Sequence, residues 1–214
     1  MQPYTQIDID NQPVGADGRK RFPACCKFGS YCKFGSYCTF DSDCTFGSCC
    51  KFGSYCTFGS SCTFGSCCKF GSDYTFGSDC TFGSSCKFGS DYTFGSYCTF
   101  DSYCTFGSSC TFGSSCTFGS SCKFDSYCTF DSSCTFGSQT ALTDATINEH
   151  KVLAWMTLAN ITSTGRQVLL VKHVDGIYVE AGCFAGTLAE FSAKAAAEGK
   201  DQYVKVIEAV ASVL

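Results

Sequence analysis

The sequence predicts a mainly β protein, in which a triangular β-solenoid is followed by a small α+β domain. From Cys26 to Ser138, a six-residue unit, Cys-(Thr/Lys)-Phe-(Gly/Asp)-Ser-X, repeats nineteen times without an insertion. Lys and Thr sort into separate columns only when the units are read three at a time. After residue 138 the repeat stops and an ordinary globular composition follows. A fixed short period of this kind is typical of a solenoid.

Each unit predicts a short strand followed by a corner. Cys and Phe are two positions apart and therefore point to the same face of a strand, whereas the residue between them points to the other face. The Gly/Asp-Ser-X part supplies residues that tolerate positive φ or bond to their own backbone. Because a three-residue strand cannot bury a face alone, the units must stack on one another. We expect Phe and Cys to point inward.

The outward position indicates how many units close one coil. When every third unit is compared, one column is almost purely Lys and the other two are almost purely Thr. Tyr74 and Tyr92, which replace the inward Cys, are also three units apart. The sequence therefore predicts about six three-sided, 18-residue coils. The Lys column consists of Lys33, Lys51, Lys69, Lys87, Thr105 and Lys123.

The unit resembles the hexapeptide repeat of left-handed β-helices. Phe takes the aliphatic position of that repeat, Gly or Asp follows it, and Cys takes the small inward position. The resemblance implies a left-handed solenoid and self-association, commonly as a trimer. The run from Ala181 to Phe191 is similar to a small C-terminal module of uncharacterised phage and prophage proteins, which implies a phage or prophage context.

The segments on either side of the repeat divide the chain into three parts. Residues 1–24 are predicted to form an N-terminal arm that caps the solenoid, with Tyr4–Asp10 as a strand because its residues alternate. Phe22 lies one unit before Phe28, so Lys20–Cys25 is interpreted as a degenerate unit. Residues 25–139 form the hexapeptide-repeat β-helix, and residues 140–214 form a C-terminal module.

The C-terminal module is predicted to be a three-stranded meander followed by two helices. Its strands are Val152–Ile161, Gln167–Val174 and Ile177–Cys183, with Asp175-Gly176 as a hairpin turn. Thr187 and Glu190 have the spacing of a capping box, which predicts a helix to about Glu198. A last helix, Gln202–Leu214, is predicted from apolar residues at helical spacing. That apolar face comprises Tyr203, Val206, Ile207, Val210 and Val213.

Cysteine usage favours reduced, buried thiols. Seventeen of the 21 cysteines occupy the inward position, where Cys acts as a small hydrophobic residue. Stacked neighbours have parallel side chains, which suit a disulfide poorly. This pattern indicates a reducing compartment, so the protein is expected in the cytoplasm or in a virion. The array contains no Cys-X-X-Cys and no His, so no metal is expected. Cys49 and Cys67 occupy corners, where they are free to cross-link or oxidise.

Charge and hydropathy argue against two classes of partner. The net charge is −4, and the repeat holds six Lys against eight Asp. This balance is poor for a nucleic-acid groove, so no nucleic acid is expected. No signal peptide and no long apolar span is present, so no membrane association is expected.

The sequence predicts a non-enzymatic structural or recognition protein, in which the rigid solenoid is a scaffold that presents a partner-binding C-terminal module. Acyltransferases with hexapeptide repeats use a histidine, whereas this array has none, so no cofactor and no catalytic residue is expected. Candidate contacts for a protein partner are the corner tyrosines and one residue of the C-terminal module. The sequence does not decide between a virion component and an inhibitor of a host protein. An ice-binding protein with Thr ladders is the alternative, although each strand offers one Thr. The candidate contacts are Tyr31, Tyr37, Tyr55, Tyr97, Tyr103, Tyr127 and Phe184.

Overall fold

The computed structural model describes residues 3–131, 133–137, 140–142, 145–147, 150–159, 167–182 and 184–214. The array forms a parallel β-solenoid in which three repeat units make one coil, as predicted. Each strand pairs in register with the strand three units later, as Lys27 does with Thr45 and Phe28 with Phe46. The left hand of the solenoid stays a prediction of the resemblance.

Three sheets form the sides of the solenoid, and each is named here by its outward residues. The short Thr face has seven strands: β2 (Lys27–Phe28), β5 (Thr45–Phe46), β8 (Thr63–Phe64), β11 (Thr81–Phe82), β14 (Thr99–Phe100), β17 (Thr117–Phe118) and β20 (Thr135–Phe136). The Lys face has seven strands: β3 (Lys33–Phe34), β6 (Lys51–Phe52), β9 (Lys69–Phe70), β12 (Lys87–Phe88), β15 (Thr105–Phe106), β18 (Lys123–Phe124) and β21 (Ala141–Leu142). The long Thr face has nine strands: β1 (Lys20–Phe22), β4 (Cys38–Phe40), β7 (Thr57–Phe58), β10 (Tyr74–Phe76), β13 (Tyr92–Phe94), β16 (Thr111–Phe112), β19 (Thr129–Phe130), β22 (Thr146–Ile147) and β23 (His150–Lys151).

The phenylalanines fill the interior in two regular geometries. Rings on one face stack nearly parallel from coil to coil, as Phe46 and Phe64 do at 4.7 Å between centroids. Rings on adjacent faces meet edge to face, as Phe40 and Phe46 do at 5.1 Å and 87°. Both arrangements are favourable for aromatic quadrupoles. The three-sided cross-section therefore accommodates a bulky Phe on every side.

The inward cysteines are buried free thiols. Within the described repeat, the inward cysteines from Cys44 to Cys128 have at most 1 % of their surface exposed. Many thiols donate to the carbonyl 21 residues earlier, as Cys68 Sγ does to Gly47 O at 3.5 Å. Burial raises the pKa of Cys26 and of Cys32. Many inward thiols therefore have a backbone carbonyl as the acceptor for their weak S–H donor.

The corners use the repeat differently from the sequence prediction. The residue that takes positive φ is the variable one, with φ near 60° at nineteen non-Gly positions, as at Tyr31 (63°). The described repeat glycines have no positive φ. Instead, a Cβ at Gly65 would lie 2.6 Å from both Ser48 N and Ser48 Oγ in the coil before. Glycine is therefore favoured by the close approach of stacked corners, although four units have Asp at this position.

Tyr74 and Tyr92 occupy inward positions in consecutive coils of the long Thr face. Their rings stack at 5.1 Å, and both are buried. The Tyr92 hydroxyl donates to Gly71 O. The adjacent corner is displaced, because Gly89 N–H donates to Gly71 O at 3.2 Å where other repeat glycines donate to the Phe carbonyl. The distortion accommodates two rings larger than Cys.

The N-terminal segment covers the first coils with a short helix, α1 (Gln6–Asp10). The prediction of a strand over Tyr4–Asp10 is wrong, because Thr5 and Asp8 form a capping box that starts the helix. The Gln6 amide pairs with an open strand edge: Lys33 N–H donates to Gln6 Oε1 at 2.8 Å, and Gln6 Nε2 donates to Lys33 O at 2.9 Å. Strand β1, which precedes the first full repeat unit, pairs with β4, as expected from the interpretation of Lys20–Cys25 as a degenerate unit.

The solenoid continues past the array for two more strands. Leu142 pairs with Phe124 and Ile147 pairs with Phe130, so these aliphatic side chains take the place of Phe. Ala145 is fully buried at a position equivalent to Cys. The long Thr face therefore contains eight parallel strands, more than the six coils predicted, because the flanking segments lack the repeat signature.

The C-terminal module closes this end of the solenoid. It forms a four-stranded antiparallel meander of β24 (Ala154–Ala159), β25 (Gln167–His173), β26 (Gly176–Ala181) and β27 (Phe184–Thr187), which corrects the prediction of three strands. One side of the sheet contacts the solenoid core through Leu169, Val171 and Tyr178, while Trp155 lies 5.5 Å from Phe136. The predicted hairpin is present, but its two turn residues are Val174 and Asp175, and Gly176 is the first residue of β26.

Two helices cover the other side of this sheet. Helix α2 (Leu188–Ala197) begins at the predicted capping box, and helix α3 spans Asp201–Ala211. A second core forms around Val168, Leu170, Val179 and Phe191. The buried residues of α3 are Ile207 and Ala211, whereas Val206 and Val213 of the predicted apolar face are exposed. The side of the helix that is turned inward therefore includes Ala211 and the half-buried Val204 in place of these two valines.

Candidate functional site: the lysine–tyrosine face

The Lys face is the chemically distinct side of the solenoid. Lys33, Lys51 and Lys69 lie opposite one another in register on adjacent strands, and Lys69 is followed by Lys87. Lys123 continues the row after Thr105. All five side chains are exposed, and no ion pair joins them to a carboxylate in the described part of the chain. The alignment predicted from the three-unit period is therefore confirmed.

Five of the six exposed corner tyrosines border this face. Chain order places Tyr31 and Tyr103 on the edge shared with the short Thr face, and Tyr37, Tyr55 and Tyr127 on the edge shared with the long Thr face. Their exposed fractions run from 46 % at Tyr55 to 75 % at Tyr31. Tyr37 and Tyr55 stack on the surface with centroids 5.1 Å apart. We call the lysine row and these five tyrosines the Lys–Tyr face.

The eight repeat aspartates are divided equally between the edge opposite the lysine row and the two edges beside it. The edge opposite the Lys face, where the two Thr faces meet, carries four of the eight repeat aspartates. The edges beside the Lys face carry the other four. Asp73 and Asp91 are the two beside the middle lysines, whereas Asp101 accepts from Ser84 Oγ at 2.8 Å, which lowers its pKa. The four on the opposite edge are Asp41, Asp43, Asp79 and Asp131.

Two predicted contact residues lie outside this face. Tyr97 is 63 % exposed but belongs to the edge between the two Thr faces. Phe184 is half-buried in the C-terminal module, where it lies 5.5 Å from Phe191 and Lys194 Nζ lies 5.7 Å from its ring centroid. A role of either residue in partner binding stays a prediction. The segregation of tyrosine around lysine was missed because each residue type was considered separately.

The histidines and cysteines form no recognisable catalytic or metal centre in the described residues. His173 is 9 % exposed, and its Nδ1 accepts the N–H of Asp175 at 3.3 Å in the hairpin turn. The His150 side chain lies outside the described residues. Across the described ranges, no group of three or more His, Cys, Asp or Glu is placed to hold a metal ion. None of the three described helices is long and apolar enough to span a membrane.

The fold defines the chain as a parallel β-solenoid protein with capped ends. A sequence model of the RNA-binding, Nab2-type zinc finger family matches six segments, which together cover less than half of the chain. No curated protein matches the chain, and no solved structure matches it. The matched segments are residues 50–65, 68–89, 93–113, 104–119, 109–125 and 121–137.

The matched segments do not fit a zinc finger. A finger of the Cys₃His type needs one histidine, and residues 50–137 contain none. The repeat cysteines of these segments point into the core on three different faces, and stacked thiols donate to backbone carbonyls. A tetrahedral site needs four converging ligands, whereas these thiols run in straight columns. The match therefore reflects regularly spaced cysteines without the metal chemistry.

Proposed function

We propose that this protein is a non-enzymatic recognition scaffold that binds single-stranded RNA along the Lys–Tyr face. The observation that carries the proposal is the row of five exposed lysines bordered by five exposed tyrosines. Proteins that bind single strands combine a track of positive charge with aromatic side chains on which bases stack. The row of cations runs along one face of the solenoid, in the direction in which an extended strand would lie.

The stacked coils make this face rigid. Backbone hydrogen bonds join successive coils at the strands and at the corners, as Lys51 N–H to Cys32 O at 2.9 Å and Tyr31 N–H to Ser48 O at 2.9 Å. The lysines and tyrosines are therefore held in fixed register before the ligand arrives. Preorganisation of this kind lowers the entropic cost of binding.

Two features support RNA over an acidic protein. Tyrosine is enriched at protein interfaces, but lysine is depleted there. The second feature is the set of exposed tyrosines along both edges of the lysine row, because bases stack on aromatic side chains. The expectation of no nucleic acid rested on a balanced charge count, and the fold places five of the six repeat lysines on one face. An acidic protein partner is the outcome to be distinguished by experiment.

The C-terminal module is assigned here to capping. Its sheet has one side on the solenoid core and the other under α2 and α3, so both sides are occupied. Recognition by this module, an origin in phage, and assembly as a trimer remain predictions, and no matched protein bears on them.

The ice-binding alternative keeps one observation in its favour. The short Thr face carries six threonines in register, from Thr45 to Thr135. Each strand nevertheless presents a single outward Thr, as the sequence indicated. Thermal hysteresis of the purified protein tests this alternative, and its absence would remove it.

The RNA proposal is tested with labelled oligouridylate and fluorescence anisotropy over a salt series. Five phosphate contacts predict a slope of log K against log salt no steeper than about −3.5 for a single strand. The variant K51Q/K69Q/K87Q is expected to flatten the slope by about 2, because three phosphate contacts are lost. Tyr37→Ala is expected to weaken binding by about 1–3 kcal/mol with an unchanged slope, because only stacking is lost.

The matched control removes the same charge elsewhere. Lys27, Lys172 and Lys205 are exposed and lie off the Lys–Tyr face. The variant K27Q/K172Q/K205Q is therefore expected to bind RNA with the wild-type slope. Equal loss in both triple variants, or no RNA binding by the wild type, contradicts the proposal. Polyglutamate that binds as tightly as RNA, with no effect of Tyr37→Ala, indicates an acidic protein partner instead.

A further inference from the structure

Two exposed corner cysteines are stacked on consecutive coils beside the Lys face. Cys49 and Cys67 occupy the edge shared with the short Thr face, and they have the same backbone conformation, with φ of 61° and 62°. Cys49 N–H donates to Ser66 O at 2.8 Å, which fixes the register of the two corners. Both are free thiols; Cys67 is exposed and Cys49 is half-buried.

The fold does not require cysteine at these two positions. Ser85 and Ser121 occupy the same edge in later coils with φ of 62° and 60°. Serine therefore satisfies the corner geometry as well as cysteine does. The remaining exposed cysteine of the described residues, Cys25, lies on the edge between the two Thr faces. Two thiols on adjacent coils thus form a single pair that packing does not explain.

The two thiols are close enough to influence each other. The pKa of the Cys49 thiol is raised, first by desolvation and then by the charge of Cys67 and a hydrogen bond to it. A hydrogen bond from Tyr31 opposes this shift. The Cys49 thiol therefore lies close to two groups on the same edge, namely the Cys67 thiol and the Tyr31 hydroxyl.

The spacing of the two thiols suits a bridging metal ion better than a disulfide. Parallel stacked residues are about 4.8 Å apart, with side chains that point the same way. A disulfide prefers Cβ atoms about 3.8 Å apart and converging, so the pair is a poor disulfide. One ion held linearly between two thiolates places the sulfurs about 4.6 Å apart, given metal–sulfur bonds of about 2.3 Å. The spacing of the coils suits a bridging ion.

We propose that Cys49 and Cys67 form a surface site that binds one Cu(I) ion between two thiolates. Soft thiolate ligands favour Cu(I), which accepts linear two-coordination. Each thiol loses its proton to solvent, two S–H bonds are replaced by two Cu–S bonds, and copper keeps its oxidation state. Lys51 and Lys69, on the same coils, offset the negative charge of the resulting complex.

The test is a competition for Cu(I) between the full-length protein and the colorimetric chelator bicinchoninate, without oxygen and with a non-thiol reductant. The wild type is expected to remove one equivalent of copper from the chelator. C49S and C67S are each expected to remove none, because one thiolate cannot complete the site. C25S is the matched control, since it removes an exposed thiol on another edge, and it is expected to behave as wild type.

The pH dependence has a defined sign. Binding releases two protons, so the affinity for Cu(I) rises with pH, and this dependence is expected to disappear in C49S/C67S. A double variant that still removes one equivalent shows that the buried columns bind the copper and overturns the proposal. A wild type that removes none overturns it as well. Circular dichroism of each variant confirms the fold, which Ser85 shows to be compatible with serine at this position.

Discussion

At the residue scale, single side chains complete hydrogen-bond ladders that the repeat leaves open. Within the array, the N–H of a corner residue donates to the Ser carbonyl of the next coil, as Asp79 does to Ser96 at 3.0 Å. Ser133 is near the end of the array, and its N–H instead donates to Glu180 Oε1 from the C-terminal module. A carboxylate thus stands in for the carbonyl of a further coil.

Glu180 is expected to link stability to pH. Desolvation by burial raises the pKa of its carboxyl above the ordinary value of 4.5, although the Ser133 N–H opposes this. A raised folded-state pKa means that stability is fully present below about pH 4.5 and is lost as pH rises through the folded pKa. Glu180→Gln keeps an acceptor without the charge, so its stability relative to wild type is expected to grow with pH in urea unfolding.

The control for Glu180 separates charge from hydrogen bonding. Glu180→Ala leaves the Ser133 N–H without its acceptor and is expected to be about 1–3 kcal/mol less stable than Glu180→Gln at every pH. Equal stability of the alanine and glutamine variants would show that the contact contributes nothing.

Tyr74 and Tyr92 are expected to respond oppositely to loss of the hydroxyl. The Tyr74 hydroxyl is buried without a partner among the described residues, whereas that of Tyr92 donates to Gly71 O. Tyr74→Phe removes an unsatisfied group and is expected to stabilise the protein by about 1 kcal/mol or more, while Tyr92→Phe is expected to destabilise it by about 1 kcal/mol. Thermal unfolding of both variants measures the signs, and destabilisation by Tyr74→Phe would contradict the assignment.

At the scale of elements, the two ends of the solenoid are closed in different ways. Helix α1 uses the Gln6 amide to pair with the backbone of Lys33, whereas the C-terminal sheet places Trp155, Leu169 and Val171 on the last coils. Both devices protect strand edges and aromatic rings that stacking leaves open. An uncovered solenoid end is a template for further strands.

Deletion of residues 150–214 is expected to make the solenoid associate through its exposed end. The deletion uncovers Phe136 and the last coils, and apolar surface of this kind drives aggregation. Size-exclusion chromatography with light scattering measures the association. The variant Trp155→Ala keeps the module and serves as the comparison. It is expected to lower the stability of the protein without causing association. A monomeric, stable truncation would show that the module is not a cap.

At the scale of the whole molecule, burial sorts the thiols into two classes. The inward cysteines lie in the core, while Cys25, Cys49 and Cys67 are half-buried or exposed. These three are expected to react with iodoacetamide in the native protein, and the inward thiols are expected to react only after denaturation. Mass spectrometry of peptides from native and denatured samples measures this, with Cys183 counted separately because it lies outside the described residues. Native labelling of Cys80 or Cys98, which are fully buried, would contradict the buried columns.

The sequence by itself determined the coil of three units, the inward Phe and Cys, and the lysine row. These follow from strict periodicity, since side chains at equal positions of stacked units share one environment. The β25–β26 hairpin, to within one residue, and the capping box at Thr187 were also predictable, because hairpin turns and helix starts depend on local chemistry.

Only the tertiary structure decided how the ends of the repeat are closed and which side chains lie against one another between coils and caps. Gln6 and Glu180 act as backbone substitutes on partners 27 and 47 residues away, and no local pattern marks such contacts. Gly65 is small because the corner of the preceding coil lies against it, which φ preferences alone do not indicate. Leu142 and Ile147 extend the solenoid because they occupy Phe positions, although the repeat signature has ended. These features depend on contacts between coils and caps, which arise only when the chain is stacked.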